Sequence, residues 1–89
     1  MAFFVYIIQS IVDNSFYKGF TQDPESRLVQ HNAGLSSYTK HKMPWKYIYL
    51  ETLPTKRDAL IREKVLKKYS HSQIEQLTTS SKNELNTKP

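Results

Sequence analysis

Strand-forming and helix-forming segments alternate along the chain, as the spacing of its apolar positions indicates. Residues 2–9 form a continuous apolar and aromatic run, and its length and its β-branched and aromatic content favour a buried strand. Turn-forming residues at 13–15 separate this run from a second one at 16–21. The two runs predict a β-hairpin, and the run at 45–50, which follows Pro44, predicts a third strand.

Helix start and stop signals divide the remaining sequence into three helices. Asp23 is a favourable N-cap before a proline at the first helical position, and Gly34 supplies a left-handed stop after the first helix. Thr55 begins a second helix that ends near residue 69, and Ser70 begins a short third helix. The resulting order, β-β-α-β-α-α, predicts an α+β domain in which a three-stranded, largely antiparallel sheet is flanked by helices.

The length of the chain, 89 residues, suits one domain. We expect this domain to occupy residues 1–78 and the polar residues 79–89 to form a flexible C-terminal tail. No run approaches the roughly 18 apolar residues of a membrane span, and the N-terminus lacks the basic region of a secretory signal. The expected protein is cytoplasmic and has no membrane contact, while a homodimer or another protein partner stays open.

Positive charge is concentrated in the middle of the chain. The formal net charge is +5, and no acidic residue occurs between Glu25 and Glu51. The basic side chains in that interval are Arg27, His31, Lys40, His41, Lys42 and Lys46. A segment of one sign is the expected electrostatic footprint of a polyanion such as nucleic acid. A solvated basic face without a partner explains the charge equally well.

Two tyrosines of the predicted hairpin, Tyr6 and Tyr17, are candidates for a shared site. Side chains alternate faces along a strand, so both tyrosines lie on one face only if the numbers of paired residues add up to an odd value. Gly19 leaves room on that face for a ligand or for another part of the backbone. The alternative is that both tyrosines are ordinary core residues.

Arg27 and His31 lie four residues apart on the predicted first helix and therefore share one of its faces. A guanidinium group presents donors that match phosphate oxygens, and a neutral imidazole exchanges protons near pH 7. The simpler alternative is that both residues are exposed on the polar side of an amphipathic helix.

The predicted second helix carries a carboxylate at the edge of its apolar arc. At about 100° per residue, Ile61, Val65 and Leu66 fall within the arc expected to face the core, and Glu63 lies beside it. A carboxylate there is costly unless it is paired or bound to a cation. Because the chain has no cysteine, a metal must bind to oxygen or imidazole ligands, and one carboxylate with phosphate oxygens and water is suited to Mg²⁺. An Arg62–Glu63 pair is the alternative.

Taken in order, these residues resemble the motifs of the GIY-YIG nuclease superfamily. The matching elements are Phe4-Val5-Tyr6, Tyr17-Lys18-Gly19, Arg27, His31-Asn32-Ala33-Gly34 and Glu63. Phe4-Val5 stands where the family usually has Gly-Ile, and Lys18 stands where it has Ile; neither change removes a reacting group. The resemblance extends over about residues 3–78 and is nearest to the small, stand-alone members of the superfamily.

The resemblance implies a role for each matching side chain. Tyr6 would be the general base for the attacking water, and Tyr17 would position water or phosphate. Arg27 would stabilise the transition-state phosphate, and His31 would assist proton transfer. Glu63 would bind the cofactor, Mg²⁺ or Mn²⁺.

Substrate contacts are expected from the second motif and from the loop at 36–45. This loop mixes cations with aromatic groups, as do surfaces that contact phosphates and bases. The candidate substrate-binding residues are Lys18, Gly19, Tyr38, Lys40, His41 and Lys42.

The resulting hypothesis is a metal-dependent endonuclease that hydrolyses phosphodiester bonds in DNA rather than RNA, in the repair or processing of structured DNA. The first alternative is a nucleic-acid-binding module on the same fold that cuts nothing, or cuts only with a partner. The second is an interaction domain in which Tyr6 and Tyr17 lie on opposite faces or are fully enclosed.

Overall fold

The computed structural model describes residues 2–86 of the chain. Its strands and helices follow one another in the predicted order: β1 (Phe3–Ser10), β2 (Phe16–Thr21), α1 (Pro24–Asn32), β3 (Trp45–Leu53), α2 (Lys56–Lys67) and α3 (His71–Thr78). A turn of 3₁₀ helix, Glu84–Asn86, ends the described part. Within that part, no helix combines the length and the apolar character that crossing a bilayer requires.

The three strands form one antiparallel sheet in the order β2-β1-β3, which confirms the predicted fold class. The central strand β1 is covered on both faces, so Val5, Tyr6, Ile7 and Ile8 are at most 1% exposed. This double burial explains why the sequence of β1 is continuously apolar instead of alternating between apolar and polar residues.

Helices cover the two faces of the sheet with separate groups of apolar side chains. On one face, Val5 and Ile7 pack against apolar residues of α2 and α3. On the other face, Tyr6 and Ile8 pack against Trp45 and against α1. The face beneath α1 therefore carries Tyr6, and the candidate site forms there.

The predicted helix ends are present as hydrogen bonds and backbone conformations. Asp23 Oδ1 accepts from the backbone N–H of Ser26 at 3.3 Å at the start of α1. Gly34 follows α1 with a φ of +77°, the left-handed conformation that glycine adopts without strain. Ser70 and Gln73 form a reciprocal capping box at the start of α3. These local signals explain why the element order was readable from the sequence.

The face of α2 that meets the sheet differs from the predicted apolar arc. Ile61 is 52% exposed and Val65 is 40% exposed, whereas Leu66 is buried as expected. Arg62 reaches the sheet instead, and its Nε donates to Glu51 Oε1 of β3 at 2.9 Å. The predicted arc was therefore wrong for Ile61 and Val65, because a carboxylate on β3 offsets the cost of partly burying an arginine.

The segment after α3 is in contact with the sheet. Asn83 is 1% exposed, and its side-chain amide donates to the carbonyl of Ile48 at 2.8 Å and accepts from the N–H of Leu50 at 3.2 Å. These bonds satisfy backbone groups on the outer side of β3, an edge strand that would otherwise present them unpaired. The division into a domain and a flexible tail at residue 78 stays a prediction, and its part at 87–89 lies outside the described residues.

Replacing Asn83 with alanine should destabilise the fold by about 2–3 kcal/mol, because buried backbone groups of β3 would lose their partner. Urea unfolding, monitored by circular dichroism, measures the free energy of unfolding. The matched control is Lys82→Ala, at an exposed neighbouring position, which should stay within about 0.5 kcal/mol of the wild type. Equal stability of the two variants would mean that this segment does not contribute to the fold.

Candidate active site

The hydroxyl of Tyr6 and the imidazole of His31 form the centre of the candidate site. Tyr6 Oη lies 3.0 Å from His31 Nε2, and the two residues are 1% and 0% exposed. The hydrogen bond joins the central strand β1 to α1, so the backbones of two regular elements hold its geometry. It also brings together two of the side chains that the motif singles out.

A threonine that the sequence analysis did not single out extends this chain of polar groups. Thr39 Oγ1 lies 2.7 Å from His31 Nδ1, and Thr39 is fully buried. Its carbonyl oxygen accepts from Trp45 Nε1 at 3.0 Å, which anchors the loop between α1 and β3. Thr39 lies among polar and basic loop residues, where a threonine is normally solvated, and only these tertiary contacts reveal its role.

Burial sets the protonation states of the two central groups. Desolvation, assisted by the positive charge of Arg27, lowers the pKa of His31 to about 4. Desolvation raises the pKa of Tyr6 to about 12, while hydrogen bonding to Arg27 and the charge of Arg27 act in the opposite direction. Both groups are therefore neutral near pH 7.

A neutral imidazole carries one N–H, so the hydrogen-bonded series Tyr6–His31–Thr39 has two arrangements. In the first, the Tyr6 hydroxyl donates to Nε2 of His31, and the Nδ1–H of His31 donates to Thr39. In the second, Nε2–H donates to the Tyr6 oxygen, and the Thr39 hydroxyl donates to Nδ1. The first arrangement leaves Nε2 ready to take the proton of the Tyr6 hydroxyl, so the chain can relay a proton inward.

The register of the hairpin places Tyr17 on the same face as Tyr6. Tyr6 pairs with Gly19, and Ile8 pairs with Tyr17, so the paired numbers add up to odd values as a shared site requires. The centroids of the two tyrosine rings are 6.4 Å apart. A Cβ atom at Gly19 would lie 2.7 Å from Tyr6 Oη, so a side chain there would displace the hydroxyl.

Two charged side chains act on the Tyr6 hydroxyl from different elements. Arg27 lies one helical turn before His31 on α1, and its guanidinium also donates to Gln30 Oε1 at 2.9 Å. Glu63 belongs to α2, and its negative charge adds to the effect of burial in raising the pKa of Tyr6. The site thus collects a cation, a carboxylate and a proton-relaying pair from three elements of the fold.

Glu63 is the side chain suited to hold a divalent cation here. No three side chains of His, Cys, Asp or Glu converge as a metal site in the part of the chain that the structure describes. An ion on Glu63 would take its remaining ligands from water and from substrate oxygens, an arrangement that Mg²⁺ commonly adopts. The side chain is 15% exposed, and Lys67 Nζ lies 3.7 Å from its Oε2. A partly exposed carboxylate offers hard oxygen donors of the kind that this ion prefers.

Two of the predicted substrate-binding residues meet at a cleft beside the tyrosines. Lys18 and Tyr38 line this cleft together with Tyr17. The ring centroids of Tyr38 and Tyr17 are 5.5 Å apart. The cleft therefore shares one wall, Tyr17, with the site around Tyr6.

The other three predicted substrate contacts, all from the loop at 36–45, are not part of the hydrogen-bonded series Tyr6–His31–Thr39. Lys40 and His41 are exposed. Lys42 is drawn to the turn of the hairpin, where its Nζ lies 3.3 Å from Asp13 Oδ2. Their role in binding substrate stays a prediction, because it depends on how a ligand approaches the surface.

The chain matches a known protein family over nearly all of its described residues. A family model described as the GIY-YIG catalytic domain matches residues 2–76. A UPF0213 protein of Staphylococcus epidermidis is 41% identical over 71 residues, which are 79% of this chain and 85% of that protein. A UPF0213 protein of Haloquadratum walsbyi is 37% identical over 75 residues, which are 83% of each chain.

A solved structure shows a similar architecture. The solution NMR structure of the UPF0213 protein BH0048 from Bacillus halodurans superposes with a TM-score of 0.59 at 29% sequence identity. The superposition covers 96% of this chain and 90% of that chain. The two proteins therefore share the fold along almost their whole lengths.

The neutral state of His31 has a measurable effect on stability. Its pKa is about 4 in the folded protein and about 6.5 when unfolded, so the unfolded chain takes up the proton first as the pH falls. This contribution is fully present above about pH 6.5, and about 3 kcal/mol should be lost between that pH and about pH 4. Urea unfolding at a series of pH values measures this loss.

The variant His31→Gln cannot titrate and should lack this part of the pH dependence. The matched control is His41→Gln in the exposed part of the loop, whose stability curve should follow the wild type. Parallel curves for wild type and His31→Gln over this pH range would contradict the burial of a neutral imidazole.

Proposed function

The chain belongs to the GIY-YIG family, a family of the nuclease type, and from that premise we propose that it is a divalent-metal-dependent DNA endonuclease. The observation that carries the proposal is the Tyr6–His31 hydrogen bond at 3.0 Å, with Arg27 and Glu63 acting on the same hydroxyl. A proton-relaying pair beside a cation and a carboxylate can supply the proton transfer and the charge stabilisation that accelerate hydrolysis of a phosphodiester.

Tyr6 and His31 would handle the proton of the attacking water. Tyr6 has a pKa of about 12 and is protonated, so it is not a base by itself at neutral pH. As the water oxygen attacks phosphorus, its proton passes to the Tyr6 oxygen, and the Tyr6 proton passes to Nε2 of His31. The negative charge of a bound phosphate offsets the low pKa of His31, because it favours the imidazolium.

Arg27 and Tyr17 would act on the phosphate itself. The guanidinium of Arg27 donates to the non-bridging oxygens, which gain negative charge in the transition state. Tyr17, on the same face as Tyr6, would orient the water or the phosphate. Glu63 would hold Mg²⁺ or Mn²⁺, which would supply positive charge that stabilises the phosphate and the leaving oxygen.

The proposed partner is DNA rather than RNA, in the repair or processing of structured DNA. The formal net charge of +5 and the acid-free interval between Glu25 and Glu51 support a polyanionic substrate. The cytoplasmic compartment stays a prediction, and a homodimer or another protein partner stays open.

The enclosure of Tyr6 favours an alternative that does not cut DNA. Because Tyr17 lies on the same face and is only half-buried, that alternative is a nucleic-acid-binding module rather than an interaction domain. Tyr6 is only 1% exposed, so a water molecule reaches its hydroxyl only if the surrounding side chains move. Glu63 is also close to the ammonium of Lys67, which competes with a metal ion for the carboxylate. A binding module would retain the fold and the positive charge. It would need neither the movement that admits water to Tyr6 nor the displacement of Lys67 from Glu63.

Supercoiled and branched DNA incubated with Mg²⁺ or Mn²⁺ tests the proposal. Arg27→Ala and Glu63→Ala should each lower the cleavage rate roughly a hundred- to a thousand-fold, since each removes charge stabilisation from the transition state. The matched controls are Arg57→Ala and Glu75→Ala, which remove the same charges at exposed positions and should cleave like the wild type.

Two results would contradict the proposal. Equal cleavage by the wild type and by all variants would indicate a contaminating nuclease or a misassigned site. Salt-dependent DNA binding by the wild type without cleavage in either metal would favour the binding module.

A further inference from the structure

An open cleft of about 470 Å³ lies beside the candidate site, and its walls combine aromatic and cationic side chains. The residues that line it are Phe16, Tyr17, Lys18, Tyr38 and Lys67. We propose that this cleft binds an unpaired nucleotide of a DNA strand, with its base on Tyr38 and a phosphate held by Lys18 and Lys67. The position of this nucleotide next to the cleaved phosphate rests on the proposed function, whereas the binding itself does not.

Tyr38 offers an aromatic face that is free for stacking. Its side chain is 79% exposed, which is unusual for a large aromatic residue. One side of the ring is supported by Tyr17, with centroids 5.5 Å apart and planes inclined by 47°. Stacking on exposed aromatic rings is the main way in which proteins bind single-stranded nucleic acid without reading its sequence.

The loop that carries Tyr38 is anchored at the next residue. The next residue, Thr39, is fully buried between His31 and the indole of Trp45. Because the backbone next to Tyr38 is fixed, less conformational freedom is lost when a base stacks on the ring, and this preorganisation favours binding.

Two lysines place positive charge at the edge of the same cleft. Lys18 is half-buried on β2, and burial and the nearby charge of Lys67 lower its pKa. Lys67 Nζ lies 3.7 Å from Glu63 Oε2. A phosphate between the two ammonium groups would relieve their repulsion, as contacts along nucleic-acid backbones do.

Tyr17 links this cleft to the reacting groups. Its ring centroid lies 5.2 Å from that of His31, 6.4 Å from that of Tyr6 and 5.5 Å from that of Tyr38. The ring of Tyr17 therefore contacts both the proposed stacking platform and the proton relay. Bases within an intact duplex are stacked on both faces and cannot occupy this position, so the cleft selects single strands, flaps and open junctions.

Fluorescence anisotropy with labelled DNA in EDTA tests binding without any cleavage. The probes are a single strand, its perfect duplex, and that duplex with an unpaired flap, all at one salt concentration. Tyr38→Ala should raise the Kd for the single strand and the flap roughly five- to a hundred-fold and leave the Kd for the duplex unchanged. Tyr38→Phe keeps the ring and should bind like the wild type.

A matched control comes from the same loop. Leu35 is 74% exposed, so Leu35→Ala removes a comparable exposed apolar side chain and should leave all three Kd values unchanged. The free energy of unfolding of each variant separates lost binding from a damaged loop.

Single abasic substitutions along the strand locate the stacked base. At one position the abasic site should weaken binding to the wild type, and Tyr38→Ala should then cause no further loss. If Mg²⁺ supports cleavage, that position should lie next to the cut.

An equal effect of Tyr38→Ala on duplex and single strand, or the absence of any such abasic position, would overturn the proposal. Tyr38-dependent binding of single strands by a protein that never cleaves would support the cleft and reject the nuclease.

Discussion

The buried hydrogen bond between Tyr6 and His31 connects the parts of this small domain. It joins the central strand to α1, and through Thr39 it fixes the loop that leads to β3. Each polar group in this chain is enclosed, so losing one partner leaves the next without a hydrogen bond, which costs more than the bond itself contributes. The same contacts that hold the fold also hold the side chains proposed to react.

The two faces of β1 differ in what a substitution there would change. Its side chains point alternately into two cores, one beneath α2 and α3 and one beneath α1. Substitutions on the first face change packing alone, whereas substitutions on the second change packing and the site together. Gly19 of the neighbouring strand β2 is restricted by the second face, because Tyr6 Oη occupies the space that a Cβ atom would need. On the second face, therefore, a substitution changes the stability of the fold and the geometry of the candidate site together.

Local signals were sufficient to predict the element order, since caps, turns and apolar runs each act within a few residues. The face shared by the two tyrosines depended on the register of one hairpin, and the alternation rule reduced that to two cases. The ion pair between Arg62 and Glu51 was not predictable, because Glu51 lies on a different element and the nearest carboxylate in the sequence, Glu63, lies beside Lys67 instead. Asn83 and Thr39 look like solvated residues of polar segments, and only long-range hydrogen bonds give them their structural roles.

The contact of Asn83 with β3 also bears on how copies of this protein would behave toward one another. A chain that ended at residue 78 would keep all six strands and helices but would leave the N–H of Leu50 and the carbonyl of Ile48 facing solvent. An uncovered strand edge is a template for pairing with the same edge of a second molecule. Shortening the chain would thus show itself first as self-association and loss of solubility, while each molecule was still folded.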